Sequence, residues 1–192
     1  MEKKLSLQAM MEAAIFAAFA LILDLLPSIK LSPAISISFA MVPIFIVAFR
    51  WGVKAGAATG LIWGLLQLIF DPWVVSPVQA VMEYVFAFSF IGAAGIVAPA
   101  VRKAIQENAR GKLFSLLAAG ILLGSIARYV WHFFAGMIFF GQYAPKGQSA
   151  FMYSLIANGT SGLGSAILCT VVLSLLVAAA TRVLYVKQLR NS

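Results

Sequence analysis

The sequence is poor in residues that carry charge, redox chemistry or metal binding. Its 192 residues include one cysteine, one histidine and six acidic residues, and only 10% of the chain is charged. The lone cysteine, Cys169, excludes an intrachain disulfide framework, and a Cys/His metal cluster needs more ligands than one of each. The chain lacks the P-loop pattern G-x-x-x-x-G-K-[ST] and H-E-x-x-H, and no Ser/His or Cys/His nucleophile pair can be placed. We therefore expect a protein that is not an enzyme and holds no metal or cofactor.

Apolar sequence makes up most of the chain. Hydrophobic residues account for 62% of it and the mean hydropathy is +0.98, whereas soluble domains are about half apolar and about a quarter charged. The apolar runs are long and continuous, which favours membrane-crossing helices over the alternating strands of a barrel. The sequence thus predicts an all-α integral membrane protein in which residues 1–192 form a single domain. Its six candidate transmembrane helices lie at roughly 7–26, 35–50, 54–71, 77–101, 112–140 and 150–186.

The two ends of this pattern need interpretation. The first run has a basic start and could pass for a signal peptide, but Asp24 and Pro27 follow it without a small-x-small cleavage pattern. We interpret it as a retained first helix. The last two spans are longer than the about 20 residues that a crossing needs, so we expect them to tilt, to extend beyond the membrane or to contain a break.

The net charge of +8 comes from basic residues that collect on one side of the predicted helices. Eleven of the 14 lysines and arginines lie at the N-terminus, in the second and fourth loops and in the C-terminal tail, whereas Lys30 and Lys146 lie in loops of the other side. Short cytoplasmic loops are rich in lysine and arginine, so both termini are predicted to be cytoplasmic. Loops 27–34, 71–76 and 141–149 should then face outward. This distribution indicates a lipid bilayer and no nucleic acid as partner.

Small residues recur at helical spacing in two of the spans. In the third span and just before it, glycines four residues apart allow another backbone to approach closely: Gly52, Gly56, Gly60 and Gly64. In the first span, alanines form two such pairs, Ala13 with Ala17 and Ala14 with Ala18. The glycine face predicts close packing within the fold, and the alanine faces fit either internal packing or a partner helix.

Polar and aromatic residues of four spans lie at a common depth. At about 1.5 Å per helical residue they fall within roughly 6–14 Å of the predicted outer surface. The set consists of Trp63, Glu83, His132, Tyr153 and Asn158. Because ionisable groups inside a membrane are costly, they are candidates for function. The convergence predicts an outward-facing pocket, while Asp24, Asp71, Trp73 and Tyr143 are interpreted as helix ends or interfacial anchors.

The side chains of this pocket suit a small, flat, partly cationic ligand. Glu83 offers a carboxylate for a cation, and His132, Tyr153 and Asn158 offer directional hydrogen bonds. Aromatic rings add faces on which a cation can stack, and the candidates are Trp63, Tyr84, Phe139 and Phe140. The role of Arg128, which lies within a span one turn before His132, is left open between a structural and a functional one.

Several stretches resemble the thiamine-specific S component of energy-coupling factor (ECF) vitamin transporters. They are AIFAAFA, LIWGLLQ, VMEYVFAF, RYVWHFFAGMIFFGQYAPKG and YSLIANGTSG, and together they extend over most of the chain. The resemblance implies that Glu83 and Tyr84 bind thiamine, that His132 contacts it, and that Tyr153 and Asn158 contact its aminopyrimidine. Phe140 stands where the family carries a stacking tryptophan. The first outer loop, PSIKLSPAIS, lacks the tryptophan that helps to cover the ligand in the family.

The resemblance also implies partners and a mechanism. Ala14 and Ala18, or alternatively Ala13 and Ala17, match the face on which S components dock an ECF transmembrane coupling subunit. Two ATPase subunits would supply ATP hydrolysis, and the S component would reorient in the bacterial cell membrane to release thiamine inward. Loop 27–34 is the predicted lid. Three alternatives remain: an S component for another vitamin or precursor, an intramembrane enzyme that uses Glu83 and His132, and a stand-alone channel or carrier.

Overall fold

The computed structural model describes residues 5–26, 28–32 and 34–185. The elements of this part of the chain are α1 (Leu7–Asp24), β1 (Ile29–Ser32), β2 (Ile35–Ile37), α2 (Val42–Trp51), α3 (Val53–Phe70), α4 (Pro77–Gln106), α5 (Arg110–Phe139) and α6 (Ala150–Ala179), with short 3₁₀ turns at Gly141–Tyr143 and Thr181–Leu184. The predicted all-α architecture with six helices is confirmed, and five of the six are long and apolar enough to cross a membrane. Lys3, Lys4, Lys187 and Arg190 lie outside the described residues, and the side that faces the cytoplasm stays a prediction.

The second helix differs from its predicted span at 35–50. Residues 35–37 form strand β2, and α2 contains only 10 residues, about 15 Å of helix against an apolar membrane core of about 30 Å. Every residue from Val42 to Phe49 is buried. A helix that is apolar on all sides belongs in a core. Helix α2 is therefore an internal helix around which the longer ones pack, and Gly52, with φ of 94°, turns the chain into α3.

Glycines of α3 bring the backbone of α4 into direct contact. A Cβ added to Gly60 would fall on the carbonyl oxygen of Phe88, and one added to Gly64 would fall on that of Tyr84. The predicted close packing is confirmed for Gly56, Gly60 and Gly64, whereas the Cβ position of Gly52 is open. This contact fixes the height at which α4 presents Glu83 and its neighbour Tyr84.

Helix α4 is irregular along its length. Residues Val81–Ala87 have π-helical geometry and Ile91–Val97 have 3₁₀ geometry, with short α-helical pieces between and around them. Segments of π-helix are rare and occur frequently at functional sites. Glu83 and Tyr84 both belong to the π segment.

The β1–β2 hairpin lies beside the N-terminal half of α6. Its antiparallel strands pair Ile29 with Ile37. The hydroxyl of Ser161 accepts a hydrogen bond from the backbone N–H of Ser36 (3.2 Å) and that of Ser165 accepts one from Ser38 (3.2 Å). The second strand is thereby attached to α6, while the first strand remains largely exposed.

The other end of the helix bundle is held by a network around one carboxylate. Arg50 donates two hydrogen bonds of 2.8 Å to Glu12, and the indole of Trp51 donates a third of 2.7 Å. Arg50 also donates to the carbonyl oxygens of Val183 (2.8 Å) and Tyr185 (3.0 Å). The start of α1, the end of α2 and the segment after α6 therefore meet at this end, which is the predicted cytoplasmic one.

Candidate functional site

A cavity of about 750 Å³ opens between α3, α4, α5, α6 and the hairpin. Its volume lies within the range of about 300–1,000 Å³ that small-molecule sites occupy. Six of the seven residues predicted to bind a ligand line it. They are Glu83, Tyr84, His132, Phe140, Tyr153 and Asn158. The remaining lining residues are Ser32, Ala34, Gln67, Asp71, Trp73, Phe88, Arg128, Gly136, Tyr143, Pro145, Ser154 and Ala157.

Glu83 is held from two sides. Its Oε1 lies 3.2 Å from Nδ1 of His132 on α5, and its Oε2 accepts a hydrogen bond from the side-chain amide of Gln79, one turn earlier on α4. The amide of Gln79 also donates to the carbonyl oxygen of Trp73 (3.1 Å). The carboxylate is therefore fixed in orientation, and its position is tied to the loop between α3 and α4. Gln79 was missed in the sequence, although its one-turn spacing from Glu83 was a usable signal.

Trp63 lies behind the cavity wall rather than in it. Its side chain is 1% exposed and packs edge-on against Phe88, with ring centroids 4.6 Å apart. The guanidinium carbon of Arg128 lies 4.8 Å from the Trp63 ring centroid and 4.4 Å from that of Phe88. The prediction that Trp63 offers a stacking face to the ligand is thus not supported by its position, because Arg128 and Phe88 occupy that place. Depth along a helix does not specify which way a side chain points.

Three of the aromatic rings that line the cavity form a cluster. The ring centroid of Trp73 lies 5.4 Å from that of Phe140 and 6.5 Å from that of Tyr143. Trp73 and Tyr143, interpreted from the sequence as interfacial anchors, also line the cavity. The backbone N–H of Trp73 donates to the hydroxyl of Tyr84 (2.8 Å), so this loop is attached to the helix that carries Glu83.

Asn158 faces the cavity with its carbonyl group available. Its Nδ2 donates to the backbone oxygens of His132 (3.3 Å) and Ser154 (3.1 Å) and lies 3.1 Å from the Ser154 hydroxyl, whereas Oδ1 takes part in none of these bonds. Ser154 in turn donates to the backbone oxygen of Phe133 (2.7 Å). A Cβ at Gly136 would collide with the Ser154 hydroxyl. Helices α5 and α6 are thus held closely together. Among the described residues the Asn158 oxygen has no hydrogen-bond partner, so it can accept a bond from a ligand.

The charged groups that line the cavity are two carboxylates and one guanidinium. They belong to Asp71, Glu83 and Arg128. Asp71 ends α3 as predicted, through a hydrogen bond from its backbone N–H to Gln67 (2.9 Å), but it also lines the cavity. At their formal charges, these three groups give the wall one net negative charge. Such a wall favours a monocation over an anion.

The structure separates the two alanine faces of α1. Ala13 and Ala17 are 1% and 0% exposed and pack within the fold, whereas Ala14 and Ala18 are exposed. Other parts of the chain already cover Ala13 and Ala17, so their burial favours Ala14 and Ala18 as the pair that is open to a partner. Exposed apolar side chains, including Met11, continue the face of Ala14 and Ala18.

Among the described residues, no group of three or more His, Cys, Asp or Glu side chains is arranged to hold a metal ion. The polar groups of the cavity instead come from four helices and are spread around its wall. This arrangement suits hydrogen bonding to an organic molecule better than coordination of an ion.

The chain is similar to thiamine transporters both in sequence and in structure. The chain is 42% identical over 187 residues to the thiamine transporter ThiT of Bacillus subtilis, covering 96% of this chain and 97% of that protein. It is 36% identical over 191 residues to ThiT of Lacticaseibacillus paracasei, covering 97% and 95%. The structure of ThiT from Listeria monocytogenes superposes with a TM-score of 0.89 at 34% identity, covering 93% of this chain and 97% of that one.

A more distant solved structure shares the fold. The S component of a bacterial ECF transporter matches 93% of this chain and 98% of its own with a TM-score of 0.60 at 20% identity. The thiamine transporter protein family (Thia_YuaJ) matches residues 10–185, which include every residue of the cavity. Together with the relatives above, this match shows that the chain belongs to the thiamine transporter protein family.

Proposed function

We propose that this protein captures thiamine from outside the bacterial cell membrane and delivers it as the S component of an ECF transporter. The observation that carries the proposal is the pairing, within one cavity, of the fixed Glu83 carboxylate with the ring cluster of Trp73, Phe140 and Tyr143. A carboxylate and aromatic faces are the groups that bind a flat organic cation.

The chemistry of thiamine matches the cavity part by part. Its positively charged thiazolium ring can stack on the aromatic cluster and gains from the net negative charge of the wall. Its aminopyrimidine has an amino group that can donate to Glu83 or to the Oδ1 of Asn158. A phosphorylated or otherwise anionic ligand would have to approach Asp71 and Glu83 with like charge. The proposal is therefore capture of the unphosphorylated vitamin.

In the proposed mechanism, transport needs partner subunits that hydrolyse ATP. The sequence has no P-loop, so in the proposed complex a transmembrane coupling subunit and two ATPase subunits bind the S component and provide ATP hydrolysis. The exposed face of Ala14 and Ala18 supports this part of the proposal, because small residues four apart let a partner helix approach closely. The network of Glu12 and Arg50 at the same end fixes how α1 is rotated.

The direct test is a thiamine titration of the detergent-purified protein, followed by tryptophan fluorescence and by calorimetry. Trp73 lines the cavity, so saturable quenching by thiamine, and none by riboflavin or biotin, is expected. Glu83→Gln should bind about tenfold to a hundredfold more weakly, the range for loss of one charge-assisted hydrogen bond. Glu107→Gln is the matched control, because Glu107 is exposed at the opposite end and pairs only with Lys103 and Lys112 among the described residues.

Two outcomes would count against the proposal in different ways. A folded wild-type protein without saturable binding up to millimolar thiamine would remove thiamine as the ligand. Wild-type affinity in Glu83→Gln would leave thiamine in place and remove Glu83 as its charge partner.

A further inference from the structure

A guanidinium stands in the wall of a cavity proposed to receive a cation. Arg128 lies one helical turn before His132, and its Nε donates to Nε2 of the imidazole at 3.3 Å. Its planar head is stacked near the rings of Trp63 and Phe88. Simple repulsion would make this residue a disadvantage for binding a cation, so its position needs a physical reason.

The reason lies in the two nitrogens of the imidazole. Nε2 accepts a hydrogen bond from Arg128, so its lone pair is occupied and cannot hold a proton. Nδ1 lies 3.2 Å from Oε1 of Glu83, and because an ionised carboxylate can only accept, Nδ1 must carry the hydrogen. These contacts describe a neutral imidazole with its proton on Nδ1.

We propose that Arg128 is a positioning residue that holds His132 as this neutral Nδ1–H tautomer and so keeps the negative charge of Glu83 available to a cationic ligand. A doubly protonated His132 would place a second cation beside the guanidinium at a site where its side chain is only 16% exposed. Two like charges at such a distance away from water repel strongly. The guanidinium thereby acts through the imidazole.

Removal of Arg128 reverses this arrangement. Nε2 would lose its donor, and the imidazole beside the Glu83 carboxylate would take up a second proton. The positive charge would then lie on His132, which contacts Glu83, and no longer on the guanidinium stacked near the rings of Trp63 and Phe88. His132 and Glu83 would form an ion pair, and the carboxylate charge would no longer be available to a cationic ligand. The other titratable groups of the cavity wall are Asp71, Tyr84, Tyr143 and Tyr153. Outside the wall, the Asp24 carboxyl at the end of α1 interacts electrostatically with Arg128, and Tyr129 lies with its ring centroid 5.6 Å from that of His132.

Because His132 is the only histidine of the chain, its protonation can be observed directly. Imidazole-¹⁵N-labelled protein in detergent, without ligand and at neutral pH, should show one neutral ring with its proton on Nδ1. Arg128→Met should show protons on both nitrogens. Arg128→Lys should keep the neutral ring, because an ammonium can also donate to Nε2. Arg110→Gln, which changes an exposed arginine at the other end of α5, should leave the spectrum unchanged.

The consequence for affinity rests on the proposed function. Thiamine should bind about tenfold more weakly to Arg128→Met and within about threefold of wild type to Arg128→Lys, whereas simple repulsion predicts tighter binding to Arg128→Met. Tighter binding would therefore overturn the functional half of the inference.

The spectra decide the structural half even if thiamine is not the ligand. A wild-type ring that carries its proton on Nε2 or on both nitrogens would overturn it, as would an unchanged ring in folded Arg128→Met. If that variant does not fold, the wild-type and Arg128→Lys spectra still decide, because both must show the neutral Nδ1–H form.

Discussion

The hydroxyl of Tyr84 accepts a hydrogen bond of 2.8 Å from the backbone N–H of Trp73. This bond joins the π-helical segment of α4 to the loop that places an aromatic ring in the cavity. The carboxylate and the aromatic cluster of the proposed site are consequently not independent, because the residue next to Glu83 in sequence also holds Trp73. Loss of this single bond should loosen both sides of the cavity.

We therefore expect Tyr84→Phe to bind thiamine about fivefold more weakly while its fold is retained. One hydrogen bond contributes about 1 kcal/mol, which corresponds to roughly this factor in the binding constant. The measurement is a calorimetric titration. Tyr185→Phe is the control, because Tyr185 is exposed and does not line the cavity. Its hydrogen bond from Arg50 goes to the backbone oxygen, which the substitution leaves in place. Equal affinity of Tyr84→Phe and wild type would mean that the loop is held by other contacts.

The proposed lid gives a second prediction. The hairpin that contains most of loop 27–34 brings Ser32 and Ala34 to the cavity, and the Ser161 hydroxyl holds its second strand to α6. Ser161→Ala removes that acceptor, so bound thiamine should dissociate several-fold faster with a smaller change in the association rate. Stopped-flow displacement measures both rates.

A suitable control for the lid is Thr170→Val. The hydroxyl of Thr170 donates its hydrogen bond to the carbonyl oxygen of Ala166 within the same helix, and not to the hairpin. If replacement of the whole hairpin tip leaves the dissociation rate unchanged, the loop is not a lid.

The sequence predicted those parts of this site that follow from the cost of polar groups in a membrane. Glu83, His132 and Asn158 are conspicuous because each is a polar residue in an apolar helix, and the structure brings all three to one cavity. Trp63 does not line the cavity. The sequence could not show this, because an aromatic residue fits any apolar environment and its depth is compatible with either side of the cavity wall.

The limits of helix α2 were missed for a related reason. A run of apolar residues does not reveal whether it contacts lipid or other helices, and residues 35–37 continued the run although they form a strand. A short buried helix and a transmembrane helix differ in length and in what surrounds them. Length can be estimated from the sequence, whereas the surroundings are known only once the fold is known. Contacts such as Gln79 to Glu83 and Arg128 to His132 depend on rotamers that spacing alone does not give.

Packing of α3 against α4 yields a prediction about stability. A methyl group at Gly64 would collide with the backbone of α4 beside Glu83, and overpacking of this kind typically costs about 1–3 kcal/mol. Gly64→Ala should therefore lower the melting temperature in detergent and also weaken thiamine binding. Gly159→Ala is the matched control, since nothing lies within 4 Å of its added Cβ and alanine favours a helix. A wild-type melting temperature for Gly64→Ala would show that α4 can move away without cost.

The two alanine faces of α1 allow partner docking to be separated from folding. Ala14→Leu with Ala18→Leu adds bulk to an exposed face, so thiamine binding and melting temperature should remain near wild type while association with the coupling subunit is lost. Ala13→Leu instead inserts three carbon atoms where the side chain is 1% exposed, and we expect it to destabilise the fold by about 1–3 kcal/mol.

Co-purification with tagged coupling and ATPase subunits, compared with thiamine titration of the isolated protein, distinguishes these cases. Retention of the Ala14/Ala18 double variant in the complex would place the docking surface elsewhere on the protein, because two leucines on a close-packed face leave no room for a neighbouring backbone.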